Sequence, residues 1–444
     1  MNEIELLREH LPRQRWYAGD EPPRRLTVVD RQTLREGPPG LLDLLVEADG
    51  ARYQLVVGLR PLDERPDFLR GRDEAVIGEL EGRLAYDAVL DPELGMAVLE
   101  LVSGEREPAE RVRPVGGEQS NNSLVYDERL ILKVFRRLHP GRNLDVEVTE
   151  ALAGAGFEHV AQPLGTLTRR LGGDDYDLAV LQTFLTGGVD GWALALTSLR
   201  DLFGVSDTQP VPIITADMSK PPPPVDPADA GGDFAAEAHR LGAITAKMHV
   251  GLEKAFGHEP GDSGKWAEEM ERTVEGLPRS VDGAALKKVL ADLRRLADAG
   301  PAIRVHGDYH LGQVLRTDAG WFILDFEGEP DRLHVERRQR FSPLRDVAGM
   351  LRSLQYASEV ALFERDEDCR NLARAWEARN RQAFLDGYLP VAAESGLLPG
   401  LAATRTILHA FELEKAMYEL EYERGHRPDW QSIPMAALRR LAAG

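Results

Sequence analysis

The segment His306-Gly307-Asp308-Tyr309-His310-Leu311-Gly312-Gln313, followed by Asp325-Phe326-Glu327-Gly328-Glu329-Pro330, constrains this chain more than any other. Asp308 stands five residues before a carboxamide, Gln313. Asp325 follows an apolar run, Trp321-Phe322-Ile323-Leu324, that reads as a strand. An aspartate on a polar loop, a carboxamide after it and a second aspartate at a strand end suit phosphoryl transfer from ATP. One carboxylate, Asp308, meets the acceptor hydroxyl and takes its proton. Gln313 and Asp325 then hold Mg²⁺ through oxygen, as a hard cation prefers. Two such segments in this order point to that chemistry more strongly than one polar loop does.

The totals narrow the class. A chain of 444 residues is too long for one core and implies two or three domains. A net charge of −20 argues against nucleic acid as a main partner, because neutralising phosphates needs a basic face. No apolar run reaches the roughly 18 residues a membrane helix needs, so no membrane partner is expected. Met1-Asn2-Glu3-Ile4-Glu5 lacks the basic and apolar regions of a signal peptide. The one cysteine, Cys369, leaves no internal disulfide framework, and a cytoplasmic location is expected.

Three regions follow from the patterning. Residues 1–88 read as a small α/β cap: a helix over Ile4 to His10, then apolar or alternating runs at Leu26 to Val29, Leu41 to Glu47 and Tyr53 to Leu59. Residues 89–186 read as a β-rich, ATP-binding lobe, with short strands at Gly95 to Val102, Leu124 to Tyr126, Leu130 to Phe135 and Leu178 to Leu185, and a helix over Asp145 to Ala155. Residues 187–444 read as helical, with stretches at Trp192 to Leu202, Phe234 to Leu252, Ala284 to Ala297, Pro343 to Tyr356 and Leu372 to Tyr388. The proline-rich segment Pro210 to Pro227 reads as a linker.

The nucleotide half of the site has its own candidates. The loop Gly116 to Ser123 carries glycines and short polar side chains, and its Ser120, Asn121, Asn122 and Ser123 can bring N–H groups to phosphate oxygens. Lysine is rare in this chain, with eight in all, yet Lys133 sits inside the apolar run Leu130 to Phe135. Burying it is costly without a counter-charge or a phosphate. Protein kinases set such a lysine on the α- and β-phosphates and pair it with a helix glutamate; Glu147 is the candidate here, ahead of Glu150. Their catalytic loop also spaces its Asp and Asn five apart, where this chain has Gln313. Gln182 and Phe184, in the run joining the two halves, are placed to face an adenine ring.

Nearly the whole chain resembles the actinobacterial maltokinases, relatives of the aminoglycoside phosphotransferases. The segments that carry the resemblance include Gln14-Arg15-Trp16-Tyr17, Glu118 to Ser123, Ile131 to Arg137, Asp190-Gly191-Trp192, His306 to Gln313, Asp325 to Pro330, Ser342 to Met350, Phe411 to Glu419 and Tyr422 to Trp430. The resemblance implies an α+β, bilobal, eukaryotic-protein-kinase-like fold with an N-terminal α/β cap and a mainly helical C-lobe. It implies ATP-dependent phosphorylation of maltose at its anomeric hydroxyl, giving maltose 1-phosphate and ADP and feeding α-glucan synthesis. At family level it also suggests the cap as a docking surface for a trehalose synthase-like enzyme.

For the sugar, the helix from Leu408 to Arg424, read as capped by Gly425, offers aromatic rings and carboxylates together. Glu412, Tyr418, Glu423 and Trp430 are the candidates, with His310 from the catalytic loop facing either the sugar or the core. His306 is expected to buttress the loop and Asp346 to fix it. The competing readings are a kinase for another sugar, such as glucosamine, and a nucleotide-binding pseudokinase. The latter is disfavoured because Lys133, Asp308, Gln313 and Asp325 are all present.

Overall fold

The computed structural model describes residues 2–104, 106–115, 121–208, 233–278, 281–329, 332–363 and 369–443. Ser120 with the rest of 116–120, the proline-rich segment and Pro330 lie outside these. The chain divides into two compact units, residues 1–150 with 161–186, and residues 151–160 with 187–444.

The first unit opens with helix α1 (Glu3–His10), whose Asn2 and Glu5 form a reciprocal capping box. Strands β1 (Leu26–Arg35), β2 (Gly40–Ala48), β3 (Ala51–Pro61), β4 (Val76–Leu80) and β5 (Arg83–Asp87) form an antiparallel sheet in the order β1-β2-β3-β5-β4. Period-two alternation turns β2 toward cores on both of its faces. Leu42, Leu44 and Val46 pack with Leu6, Leu7, Leu11 and Trp16. Leu41 on the other face joins a core shared with helix α2 (Pro92–Ser103) and the second sheet. A sheet covered on both faces explains why β2 is buried almost throughout.

The region from Gly95 to Val102 is helical, not the β pattern expected. Asp91 caps the helix by accepting from the Glu93 N–H, Pro92 takes the first turn, and Gly104 ends it in the left-handed conformation. Leu94, Val98, Leu99 and Val102 are buried at helical spacing. The caps outweigh the short apolar run.

The second sheet contains β6 (Val112–Pro114), β7 (Asn121–Tyr126), β8 (Leu130–Phe135), then, after β9 (Arg137–Leu138, paired with β3) and α3 (Leu144–Gly154), strands β10 (Pro163–Leu171) and β11 (Asp174–Thr183). Its order is β10-β11-β8-β7-β6, all antiparallel.

The second unit is mainly helical. After β12 (Val189–Asp190) come α4 (Gly191–Thr208), α5 (Ala235–Phe256), β13 (His258–Pro260), α6 (Ser263–Glu275), α7 (Gly283–Arg294) and β14 (Pro301–Arg304). The hairpin β15 (Val314–Thr317) and β16 (Gly320–Ile323) is followed by β17 (Arg340–Phe341), α8 (Leu344–Phe363), α9 (Arg370–Glu394), α10 (Leu401–His426) and α11 (Ser432–Ala443). Helices α5 and α9 meet through paired glycines. A Cβ on Gly242 would stand 2.0 Å from the Phe384 carbonyl oxygen, and one on Gly387 2.0 Å from that of His239. Helix α10 runs past the expected end: Gly425 lies inside it and Arg427 is its C-cap. Among the described residues no helix is long and apolar enough to cross a membrane.

The cap also buries a titratable group. His10 is 1% exposed, and burial pushes its imidazole down from an ordinary value of 6.5 to about 4. Between these values the unfolded chain takes a proton that the folded chain refuses, so stability is lost as pH falls from about 6.5 to 4. The shift corresponds to roughly 3 kcal/mol. Urea midpoints at pH 7.5 and pH 4.5 should therefore separate more in the wild type than in His10→Met.

Candidate active site

The catalytic loop is held from beneath by a buried carboxylate. Asp346, in the first turn of α8, is 2% exposed. It accepts from the backbone N–H of His306 (2.8 Å) and of Gly307 (3.0 Å). Its Oδ2 also lies 3.0 Å from His249 Nε2 of α5, whose Nδ1 is 2.9 Å from the Tyr388 hydroxyl of α9. Burial opposes the Asp346 charge, but the bonds from His249 and Gly307 outweigh it and hold the carboxyl below its usual range. Helix α8 approaches so closely that a Cβ on Gly349 would stand 2.6 Å from the Tyr309 carbonyl oxygen. The Tyr309 hydroxyl meets Thr245 Oγ1 at 2.8 Å.

His306 braces the loop as expected. Its Nε2 is 2.9 Å from the Leu324 carbonyl oxygen, its Nδ1 accepts from the Asp308 N–H at 3.3 Å, and its ring packs on Phe326. The chain after β16 is thereby tied to the loop carrying Asp308. Asp325 adopts a φ of +61°, a conformation that costs a non-glycine residue on the order of 1 kcal/mol. Its Oδ2 accepts from Gln313 Nε2 at 3.2 Å. The structure brings these two predicted metal ligands together.

A carboxylate and a carboxamide offer the hard oxygen donors that Mg²⁺ takes, and the second arm of the Gln313 amide leaves Oε1 for a cation. Among the described residues no group of three His, Cys, Asp or Glu gathers as a metal cage. Mg²⁺ commonly uses one or two protein ligands together with substrate phosphates, so Gln313 and Asp325 fit that ion.

Asp308 Oδ1 receives a hydrogen bond from Lys415 Nζ of α10 at 3.1 Å, and Oδ2 lies 3.7 Å from His310 Nε2. Burial alone would raise its pKa; His310 and Lys415 outweigh this and hold it well below the usual carboxylate range. Its carboxyl is therefore ionised at neutral pH. His310 faces Asp308 rather than the core, and its Nδ1 accepts from the Gly312 N–H at 3.0 Å.

Lys415 also contacts Glu329 Oε1 at 3.2 Å and sits 4.6 Å over the Tyr418 ring. Glu329 meets Arg332 (2.8 Å) and Arg345 (3.3 Å), and both arginines reach Glu414. Beside Asp308 these residues line a pocket of about 620 Å³, part of it open to solvent, with Gly307, Tyr309, Phe411 and Glu421. Lys415 is not among the candidates that the motifs single out. The rarity of lysine that singled out Lys133 marks it equally.

Three of the expected sugar contacts are engaged elsewhere. Glu412 is 5% exposed and holds Arg381 through both oxygens at 2.9 Å. Glu423 is 2% exposed and takes Arg427 together with the Tyr356 hydroxyl. Trp430 stacks on Tyr356 at 6.1 Å, with Arg427 over its ring at 4.5 Å. These buried pairs tie α10 to α8, α9 and its own tail, so their polar atoms are spent on packing. Tyr418 and His310 remain at the pocket or the base.

In the first unit, Lys133 and Ser123 are register partners on β8 and β7. Asp145 of α3, which the sequence reading did not consider, stands 3.1 Å from Lys133 Nζ; the expectation had named Glu147, two residues on. Asn121 shares the Ser123 face of β7. Asn122 turns to the opposite face, where Oδ1 accepts from Arg136 Nε at 2.6 Å. Gln182 lies near the end of β11, and Phe184 just past it, with Arg113 over the Phe184 ring.

The maltokinase N-terminal cap domain family matches residues 10–91, and the family described as phosphotransferase enzymes matches residues 223–328. The glucosamine kinase of Streptacidiphilus jiangxiensis is 30% identical over 363 residues, 78% of this chain and 76% of that protein. The chain belongs to the phosphotransferase enzyme family, in the branch bearing a maltokinase-type cap. It is a sugar kinase acting on an alcohol group, with ATP as donor and Mg²⁺ as its usual partner. The glucosamine kinase of Mycolicibacterium smegmatis is 29% identical over 357 residues, covering 77% of this chain and 82% of that protein. A solved glucosamine kinase in complex with glucosamine, ADP and inorganic phosphate has the same fold, at a TM-score of 0.70 and 24% identity over 99% of both chains.

Asp308→Asn should lower kcat by a factor of about 10² to 10⁴ in steady-state assays while leaving the circular dichroism spectrum unchanged. Gly349→Ala should cost about 1–3 kcal/mol in denaturant unfolding and reduce kcat, because the new methyl collides with the loop backbone.

Proposed function

We propose that this kinase transfers the γ-phosphoryl group of ATP to the anomeric hydroxyl of maltose, giving maltose 1-phosphate and ADP. The observation that carries the reading is the pocket beside Asp308. Its wall combines an aromatic ring, Tyr418, with Lys415, Glu329, Glu414, Arg332 and Arg345, whose charges are paired with one another or with Asp308. A neutral sugar has apolar C–H faces for such a ring and hydroxyls for such donors and acceptors. The match of residues 10–91 to the maltokinase cap supports the same acceptor.

In this reading Asp308 orients the acceptor hydroxyl and takes its proton as the phosphoryl group arrives. His310, facing the same carboxylate, positions it. Gln313 and Asp325 would hold Mg²⁺, which supplies charge neutralisation at the phosphates. Lys133, Asn121 and Ser123 would hold the nucleotide phosphates, and Gln182 and Phe184 would border the adenine ring. Glucosamine is the second reading, favoured by the two curated relatives that bear that activity in their names.

A coupled ADP-release assay across maltose, glucosamine, glucose, trehalose and kanamycin separates the two. Maltose should give the highest kcat/KM. Preference for glucosamine would keep the machinery and overturn the acceptor. Absence of turnover with every sugar would overturn the reading altogether.

A further inference from the structure

Resting on the neutral-sugar reading, we propose that Lys415 is the specificity-determining residue of the acceptor pocket: its ammonium, seated against Asp308, excludes acceptors that carry an amino group. A cationic sugar that brings a hydroxyl to Asp308 must approach the carboxylate that Lys415 already occupies at 3.1 Å. The Lys415 side chain is 17% exposed and also anchored to Glu329 at 3.2 Å, so it has little freedom to swing into solvent. Burial works against its charge, but Glu329 and Asp308 outweigh burial and keep it cationic.

The surrounding charges decide what a second cation would meet. Asp308, Glu329 and Glu414 face Lys415, Arg332 and Arg345, three carboxylates against three cations. From α8, Asp346 is committed to the loop N–H groups and His249. From α10, Glu419 is committed to Arg352. His310 faces the Asp308 oxygen from the loop. Glu421 also lines the pocket but is exposed, where its attraction is screened. An added ammonium therefore finds like charge close by and carboxylates already paired, and must displace one of those pairings to be compensated. A hydroxyl meets the same groups as hydrogen-bond partners at no charge cost. Discrimination by a repulsive element of this kind needs no extra contact with the favoured sugar.

The test compares kcat/KM for maltose and for glucosamine in the wild type, Lys415→Met, Lys415→Arg and the double variant Lys415→Met/Glu329→Gln. The double variant leaves no unpaired buried carboxylate at position 329, so it remains informative if the single variant does not fold. Both methionine variants should reduce the maltose-to-glucosamine ratio by at least about tenfold, whereas Lys415→Arg should keep it. Turnover with both sugars will fall when Asp308 loses its partner, so the ratio is the readout. The same ratio of dissociation constants, measured by calorimetry, serves where turnover is lost. An unchanged ratio in the methionine variants overturns the inference. A wild type that prefers glucosamine overturns the neutral-sugar reading itself, a separate outcome.

Discussion

The buried Asp346 carboxylate is the constraint on which the rest of the site depends. It lies in the first turn of α8, yet it collects the N–H groups of His306 and Gly307 and the Nε2 of His249. A carboxylate removed from water must be compensated by hydrogen bonds, and these three supply them. The result is a loop whose backbone is fixed by a helix, a second helix and, through Tyr388, a third. Asp308 follows directly from that fixed backbone. Its N–H is held by His306, whose other nitrogen reaches the Leu324 carbonyl, and Asp325 comes next in the chain. One buried charge thus orders the segment of Asp308 and, through one histidine, the segment that carries Asp325.

A second buried network sits above this one and has a different character. Lys415, Glu329, Arg332, Arg345 and Glu414 come from α10, the chain after β16 and the start of α8. Buried ion pairs contribute little net stability against well-packed apolar residues, because desolvation offsets attraction. They do impose geometry and a local field. Around Asp308 that field, with His310, holds the carboxyl ionised. Glu412 with Arg381 and Glu423 with Arg427 belong to the same helix but serve its packing.

Much of the chemistry was legible in the chain. Local motifs announce themselves because a catalytic loop and a strand-end aspartate are short in sequence as well as in space. As candidates, Asp308, Gln313, Asp325, Asp346 and the apolar strand around Lys133 needed no tertiary information. The candidate sugar contacts on α10 have partners that the sequence does not show. Periodicity on α10 puts Tyr418 and Tyr422 on one face, yet it cannot say that Glu412 and Glu423 are claimed by arginines four to 31 residues away. The helix over Pro92–Ser103 was misread for a different reason: its cap signals were present, but a run of small and branched apolar residues suits strand and helix alike.

By itself, then, the sequence pointed to the reaction class and to its candidate parts, since Asp308, Gln313 and Asp325 occur in short segments with the spacing that suits phosphoryl transfer. The tertiary structure alone decided which charged side chains meet. Asp308 and Lys415 are brought to 3.1 Å by the packing of α10 against the catalytic loop. Asp145 was placed 3.1 Å from Lys133 by the docking of α3 on the second sheet. Pairings of this kind depend on distances between elements far apart in the chain, and no local pattern of residues encodes those distances.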